Sequence, residues 1–265
     1  MYTSNNTKRP TDEVPTVFLH GFSGDGTGLR PFADAYIGKD ALCINMPGFG
    51  GATAPLEGGC DDIYKYADAV WGTIRGLVLD GPVNLVGHSH GAMVGYVLAL
   101  QHPDEVKRLD LFCPIAYPRL IPRLTIRTMQ LVCSIGISKR AVVRLMASPF
   151  MVSLVTRYSF NPLWTDDDKR RITEMRQREA KFYSPIMFDL MKQAMVFGRT
   201  MKDTHCEVPT QICHVSDENV AGNKDYLWYK QHANVVKLKE ITGGHLCVVA
   251  NPKRVVDLFM AKETV

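Results

Sequence analysis

The sequence predicts an α/β fold with a mostly parallel sheet and a helical segment inserted after the fourth strand. Three observations carry this. Short apolar runs alternate with longer helical patterns along most of the chain, as strand–helix–strand units require. One stretch, from Ala116 to Cys206, breaks that rhythm with helical patterns alone. The composition, 46% hydrophobic and 22% charged over 265 residues, suits one large domain, or one domain with an insertion.

The strand-like runs are Val14 to Leu19, Ala41 to Met46, Val83 to Val86, Arg108 to Cys113, Thr210 to Val215 and Val235 to Leu238. Several are almost continuously apolar, which fits strands covered on both faces. Asp61 to Leu79 opens with two acids, as a helix N-terminus favours. Gly91 to Gln101 is small and apolar throughout and predicts a buried helix that Pro103 ends. Lys253 to Ala261 is a closing helix. Within the insertion, Thr165 is an N-cap before Asp166, Asp167 and Asp168, with Asp168 placed to complete the cap.

The formal net charge is +4, too small to suggest a nucleic-acid partner. The 7 cysteines form no C-x-x-C pair, so neither a zinc knuckle nor a disulfide framework is expected, and no metal site is implied. Reduced thiols point to a reducing compartment. Met1 to Glu13 is polar and does not read as a signal peptide, and no apolar run is long enough to span a membrane. The expected location is the cytoplasm.

Gly87-His88-Ser89-His90-Gly91 matches G-x-S-x-G between a strand and a small-residue helix. A nucleophile on such a sharp turn exposes its hydroxyl above the sheet, and the flanking glycines let strand and helix approach. Ser89 is the expected nucleophile. Leu19-His20-Gly21-Phe22 ends the first strand and runs into a loop containing Gly24, Gly26 and Gly28. That loop can turn the Phe22 N–H toward a carbonyl under attack, with the His90 N–H as the second oxyanion donor. His20 reads as structural, bonded within its loop.

Of the 8 histidines, His245 has the position a general base needs, after the last strand and behind Thr242-Gly243-Gly244. Asp217, in the polar loop that follows Val215, is the expected acid that orients it. The order Ser89, Asp217, His245 is that of a Ser…Asp/Glu…His relay. Glu218 and Asp203 compete for the acid role. Asp110 is less suited, because it sits inside an apolar strand.

Together these pieces resemble the capped α/β-hydrolase superfamily of small esterases, carbon–carbon bond hydrolases and lactonases. The resemblance includes the loop Met46-Pro47-Gly48-Phe49-Gly50-Gly51, Asp217 with Val220 three residues on, and Gly243-Gly244-His245. It runs from about Val14 to the C-terminus and implies a core of residues 1–115 and 207–265 with a cap at 116–206. Only about thirteen residues precede the His-Gly strand, where members usually carry a further hairpin, so a reduced sheet of six parallel strands is expected. The resemblance implies no cofactor and no metal. A serine at position 89 sets the chain apart from the aspartate-nucleophile branches. The implied reaction is acyl transfer to water from an ester, thioester or lactone. Carbon–carbon cleavage of a diketone acid is the nearest alternative, and a ligand-binding receptor that keeps the three residues is the alternative outside enzymes.

The insertion is unusual in charge. Between Leu111 and Thr165 there is no Asp or Glu, yet Arg119, Arg123, Arg127, Lys139, Arg140, Arg144 and Arg157 are interleaved with apolar residues. Arg119, Arg123 and Arg127 recur at helical spacing. The apolar faces are expected to line an acyl pocket for an apolar small-molecule ester through Met146, Met151 and Leu154. The basic face is expected to make at most a weak contact with an anionic membrane surface.

Overall fold

The computed structural model describes residues 14–52, 62–78, 80–117, 124, 127–128, 131 and 138–261. Its six strands are β1 (Thr16–Leu19), β2 (Leu42–Ile44), β3 (Val83–His88), β4 (Val106–Phe112), β5 (Cys206–Val215) and β6 (Ala233–Ile241). They form one sheet in the order β2-β1-β3-β4-β5-β6, and every neighbouring pair is parallel. Each expected run coincides with one strand, and β3, β4, β5 and β6 extend beyond the expected bounds. The chain steps from β1 outward to β2 and returns to β3 on the other side of β1. That reversal opens a crevice at the carboxyl ends of β1 and β3, where open α/β sheets bind ligands.

Both faces of the sheet are buried, which accounts for the continuous apolar runs. On one face α2 (Ile63–Leu77) and α3 (His90–Gln101) pack Tyr66, Val70, Tyr96 and Leu98 against Val17, Leu85 and Leu109. On the other, α1 (Gly26–Ile37) and α10 (Pro252–Met260) pack Leu29, Phe32 and Phe259 against Phe18 and Phe112. Helix α1 corrects the glycine-rich loop expected after Phe22. Asp25 caps it by accepting from Gly28 N at 2.7 Å, and a Cβ at Gly26 would stand 2.9 Å from the Cys43 carbonyl oxygen. The early glycines thus serve close packing of a helix start. Pro209 lies inside β5, where the register with β6 jumps from Cys206↔Ala233 to Thr210↔Val235, an irregularity that accommodates its missing N–H.

Between β4 and β5 the described residues form helices α4 (Lys139–Met146), α5 (Pro149–Tyr158), α6 (Asp166–Glu179) and α7 (Ile186–Thr200), with a 3-10 turn at Ala180–Phe182. Helix α6 opens with the capping box read from Thr165 and Asp168. Helices α8 (Asn223–His232) and α9 (Cys247–Ala250) complete the fold. Met1 to Glu13, Arg119, Arg123, Cys60 and Cys133 lie outside the described residues. Cys43, Cys113, Cys206, Cys213 and Cys247 are free thiols. No helix among the described residues is long and apolar enough to cross a membrane.

Candidate active site

Ser89 sits between β3 and α3 with φ 55° and ψ −113°, in the left-handed region that a serine rarely adopts. The turn that imposes this is crowded. A Cβ at Gly87 would lie 2.5 Å from the Gly91 carbonyl oxygen, and one at Gly91 would lie 2.2 Å from that of Leu19. Larger residues at either position would push the strand and helix apart and relax the turn. The turn therefore holds the serine hydroxyl above the carboxyl edge of the sheet.

His245 lies in the loop after β6, with Nε2 2.8 Å from Ser89 Oγ. Its Nδ1 is hydrogen-bonded to Glu218 Oε2, and both side chains are buried. A carboxylate accepts at Nδ1, so the Nδ1 proton is fixed there and Nε2 is left to accept from the serine hydroxyl. Glu218 Oε2 is also 3.2 Å from Ala221 N, a donor that orients the carboxylate.

The residue placed against His245 is Glu218, which corrects the expectation of Asp217. Asp217 turns outward and organises the loop instead. It accepts from Gly243 N at 2.8 Å, from Gly244 N at 3.0 Å and from Asn161 Nδ2 at 2.9 Å. Burial raises its pKa, but these donors outweigh that and hold the carboxyl below its ordinary value. Trp164 Nε1 donates to the Gly243 carbonyl at 2.7 Å, so the segment after α5 also grips the His245 loop. Neither Asn161 nor Trp164 carries a motif that the sequence could have shown. The other carboxylates considered have different places: Asp203 is exposed beside Lys202, and Asp110 is held by Tyr36 and Arg108.

Three further histidines surround the nucleophile. His20 donates from Nδ1 to the Gly21 carbonyl at 2.8 Å and accepts from Met46 N at 3.1 Å, which ties the β1 turn to the loop after β2. His88 Nε2 donates to the His245 carbonyl at 2.8 Å. His90 is packed among the rings of Phe22, Phe49 and Tyr66, and neither of its ring nitrogens has a hydrogen-bond partner among the described residues. Burial pushes the pKa of His20 down to about 4, and those of His88 and His90 down to about 3, so all three are neutral imidazoles. The β1 turn lies close to the serine: a Cβ at Gly21 would be 3.4 Å from Ser89 Cβ. The N–H groups of Phe22 and His90 take part in no hydrogen bond among the described residues. Phe22 and His90 line the same cavity as Ser89.

Above these groups is a cavity of about 310 Å³, floored by Ser89 and His245. Its walls are mostly apolar, and α4 to α7 contribute Met146, Val152, Val155, Met187 and Met191. Met146 lies where the sequence suggested. Met151 and Leu154 do not line the cavity, because α5 turns the phase of Val152, Val155 and Thr156 inward and leaves Leu154 on its outer side. Arg176 and Glu179 of α6 also reach the wall. Arg176 Nη1 is 3.3 Å from Glu179 Oε2 and 3.4 Å from the Phe22 carbonyl oxygen. Burial pushes the Glu179 carboxyl up to about 7 against the pull of Arg176, with Asp25 adding to the rise.

Residues 14–131 match the family described as alpha/beta hydrolase fold. A thermophilic esterase from Thermogutta terrifontis superposes with a TM-score of 0.70 at 17% identity, over 92% of this chain and 87% of that one. A hydrolase from Pseudomonas aeruginosa does so with a TM-score of 0.70 at 13% identity, over 95% and 91%. The chain has the α/β-hydrolase fold. At these identities the similarity extends to the fold and no further. Among curated proteins, the 2-succinyl-6-hydroxy-2,4-cyclohexadiene-1-carboxylate synthase of Salmonella heidelberg is 38% identical over 85 residues. That match spans 32% of this chain and 32% of that relative. Within this fold the residues just after β3, β5 and β6 supply Ser89, Glu218 and His245, all at the carboxyl edge of the sheet.

Proposed function

We propose that the protein is a serine hydrolase that cleaves a carboxylic ester, thioester or lactone of an apolar substrate. The observation that carries this is the Ser89–His245–Glu218 hydrogen-bonded chain at the floor of an apolar cavity. Ser89 Oγ attacks the carbonyl carbon while His245 Nε2 takes its proton, and Glu218 stabilises the imidazolium. The oxyanion is received by the N–H groups of Phe22 and His90, at the positive end of α3. His245 then protonates the leaving oxygen or sulfur. Water, deprotonated by His245, hydrolyses the acyl-enzyme. No step is routed through a metal or cofactor. Residues 116–206 act as the cap over a core of 1–115 and 207–265. The free thiols support residence in a reducing cytoplasm.

A second reading, carbon–carbon cleavage of a diketone acid, is favoured by one observation, the cationic Arg176 on the cavity wall. Its guanidinium is already engaged by Glu179 and the Phe22 carbonyl, so the ester reading stands first. A fluorophosphonate should label Ser89, and p-nitrophenyl esters should turn over. Ser89→Ala should lose several orders of magnitude in kcat. Labelling at another residue with Ser89→Ala still active would reject the assignment. Binding of esters without turnover would favour a receptor.

A further inference from the structure

The outer side of the inserted helices carries a feature that the proposed chemistry does not use. Leu145 at the end of α4 is 62% exposed, Phe150 in the first turn of α5 is 74% exposed and Leu154 is 53% exposed. Phe150, Leu154 and Arg157 are spaced i, i+4, i+7, which puts them on one face of α5. They line a surface groove together with Gln177 of α6. Arg140, Arg144 and Arg157 are exposed and enter no ion pair among the described residues. The segment cannot neutralise itself, because no Asp or Glu occurs between Leu111 and Thr165.

Single exposed apolar side chains need no explanation. Here three large ones sit on two consecutive helices that also carry Arg140, Arg144 and Arg157; the one paired cation of α4 among the described residues is Lys139, held by Asp189. A soluble face gains nothing from a phenylalanine three-quarters in water. An amphipathic surface of this composition suits the boundary between lipid headgroups and acyl chains. The face also continues to the cavity: Val155 lines the cavity and is itself 50% exposed, so the apolar strip reaches the rim.

We infer that this face docks on an anionic lipid surface. Leu145, Phe150 and Leu154 enter the headgroup boundary, while Arg144 and Arg157 meet the anionic headgroups. The docking itself stands on exposure and charge. Its consequence, that an apolar ester passes from the bilayer to the cavity rim without crossing water, rests on the hydrolase reading.

The test is flotation of the full chain with vesicles of phosphatidylcholine, with and without phosphatidylglycerol. Binding should require phosphatidylglycerol and weaken as salt rises. Leu145→Ser/Phe150→Ser and Arg144→Gln/Arg157→Gln should each lower the bound fraction about tenfold. Both should leave turnover of a soluble short-chain ester unchanged, which also shows that they fold. Ser89→Ala should float like the wild type, so a failure of the hydrolase reading leaves this result standing. The inference is overturned by no binding, or by equal binding to both vesicle types. It is also overturned if the wild type sediments as a dimer that Leu145→Ser/Phe150→Ser makes monomeric, since the face would then be a contact between copies.

Discussion

Asp217 and Glu218 are adjacent in sequence and do opposite things. β5 ends at Val215, and the turn beyond it sends one carboxylate outward to the Gly243 and Gly244 amides and the next inward to His245. Glu218→Gln should therefore cut kcat by up to about ten-thousandfold with the fold retained, because an amide lacks the charge that stabilises the imidazolium and can turn its NH2 to the ring and favour the wrong tautomer. Asp217→Asn should act mainly on stability, costing about 1–3 kcal/mol, because its one oxygen can still accept from Gly243 and Gly244 but its NH2 would face Asn161 Nδ2, which loses its acceptor. Steady-state kinetics and a denaturant melt of each variant separate the two effects. A greater loss of kcat in Asp217→Asn would reverse the assignment. The sequence points to Asp217 in preference to Glu218 and Asp203, and it is off by one residue. Asp217 and Glu218 both keep the order serine, acid, histidine, and the strand period that sorts side chains by face ends before the turn begins.

At the scale of elements, α6 joins the inserted helices to the β1 turn. Arg176 reaches the Phe22 carbonyl, Glu179 packs against Gly28, and the two side chains pair with each other in a largely buried setting. Phe22 carries the proposed oxyanion N–H, so the pair fixes the height of that donor over Ser89. Arg176→Met should lower kcat on the order of ten- to a hundredfold, alike for short and long acyl chains and with little change in KM. A loss confined to carboxylate-bearing substrates and expressed in KM would instead make Arg176 a substrate anchor. The elements themselves were legible unevenly. The strands showed because two-sided burial makes them continuously apolar, and α6 showed through its cap. Helix α1 was hidden by Gly26, Gly28 and Pro31, residues that usually break helices, and its cap comes from Asp25. In α5 the apolar pattern alone does not separate Met151 and Leu154 from Val152 and Val155, and the helical phase turns Val152, Val155 and Thr156 to the cavity.

For the whole molecule, the crevice where β1 and β3 diverge must be filled, and the chain fills it with imidazoles. His20, His88 and His90 are buried together between the sheet and the inserted helices, all neutral. Their folded pKa values lie below the 6.5 of a free imidazole, at about 4 for His20 and about 3 for the other two. Below pH 6.5 the unfolded chain takes up protons that the folded chain refuses. The stability these residues contribute is complete above that pH and is lost as the pH falls toward the folded values, at roughly 1.4 kcal/mol per pH unit for each histidine. Glu179 opposes this over part of the range. Its carboxyl is raised from 4.5 to about 7, so the folded chain gains from its protonation as the pH drops. Burial also raises the carboxyls of Asp110 and Asp225, which oppose the histidines in the same sense from their lower starting values. Urea midpoints measured from pH 7 to pH 4.5 should fall steeply. His90→Met should flatten that slope by one histidine's share, roughly 1.4 kcal/mol per pH unit. It should also raise stability at pH 5, because the ring nitrogens of His90 have no partners to lose and a thioether suits the slot between Phe22, Phe49 and Tyr66. An unchanged slope in His90→Met would mean that its imidazole is not held neutral in the fold.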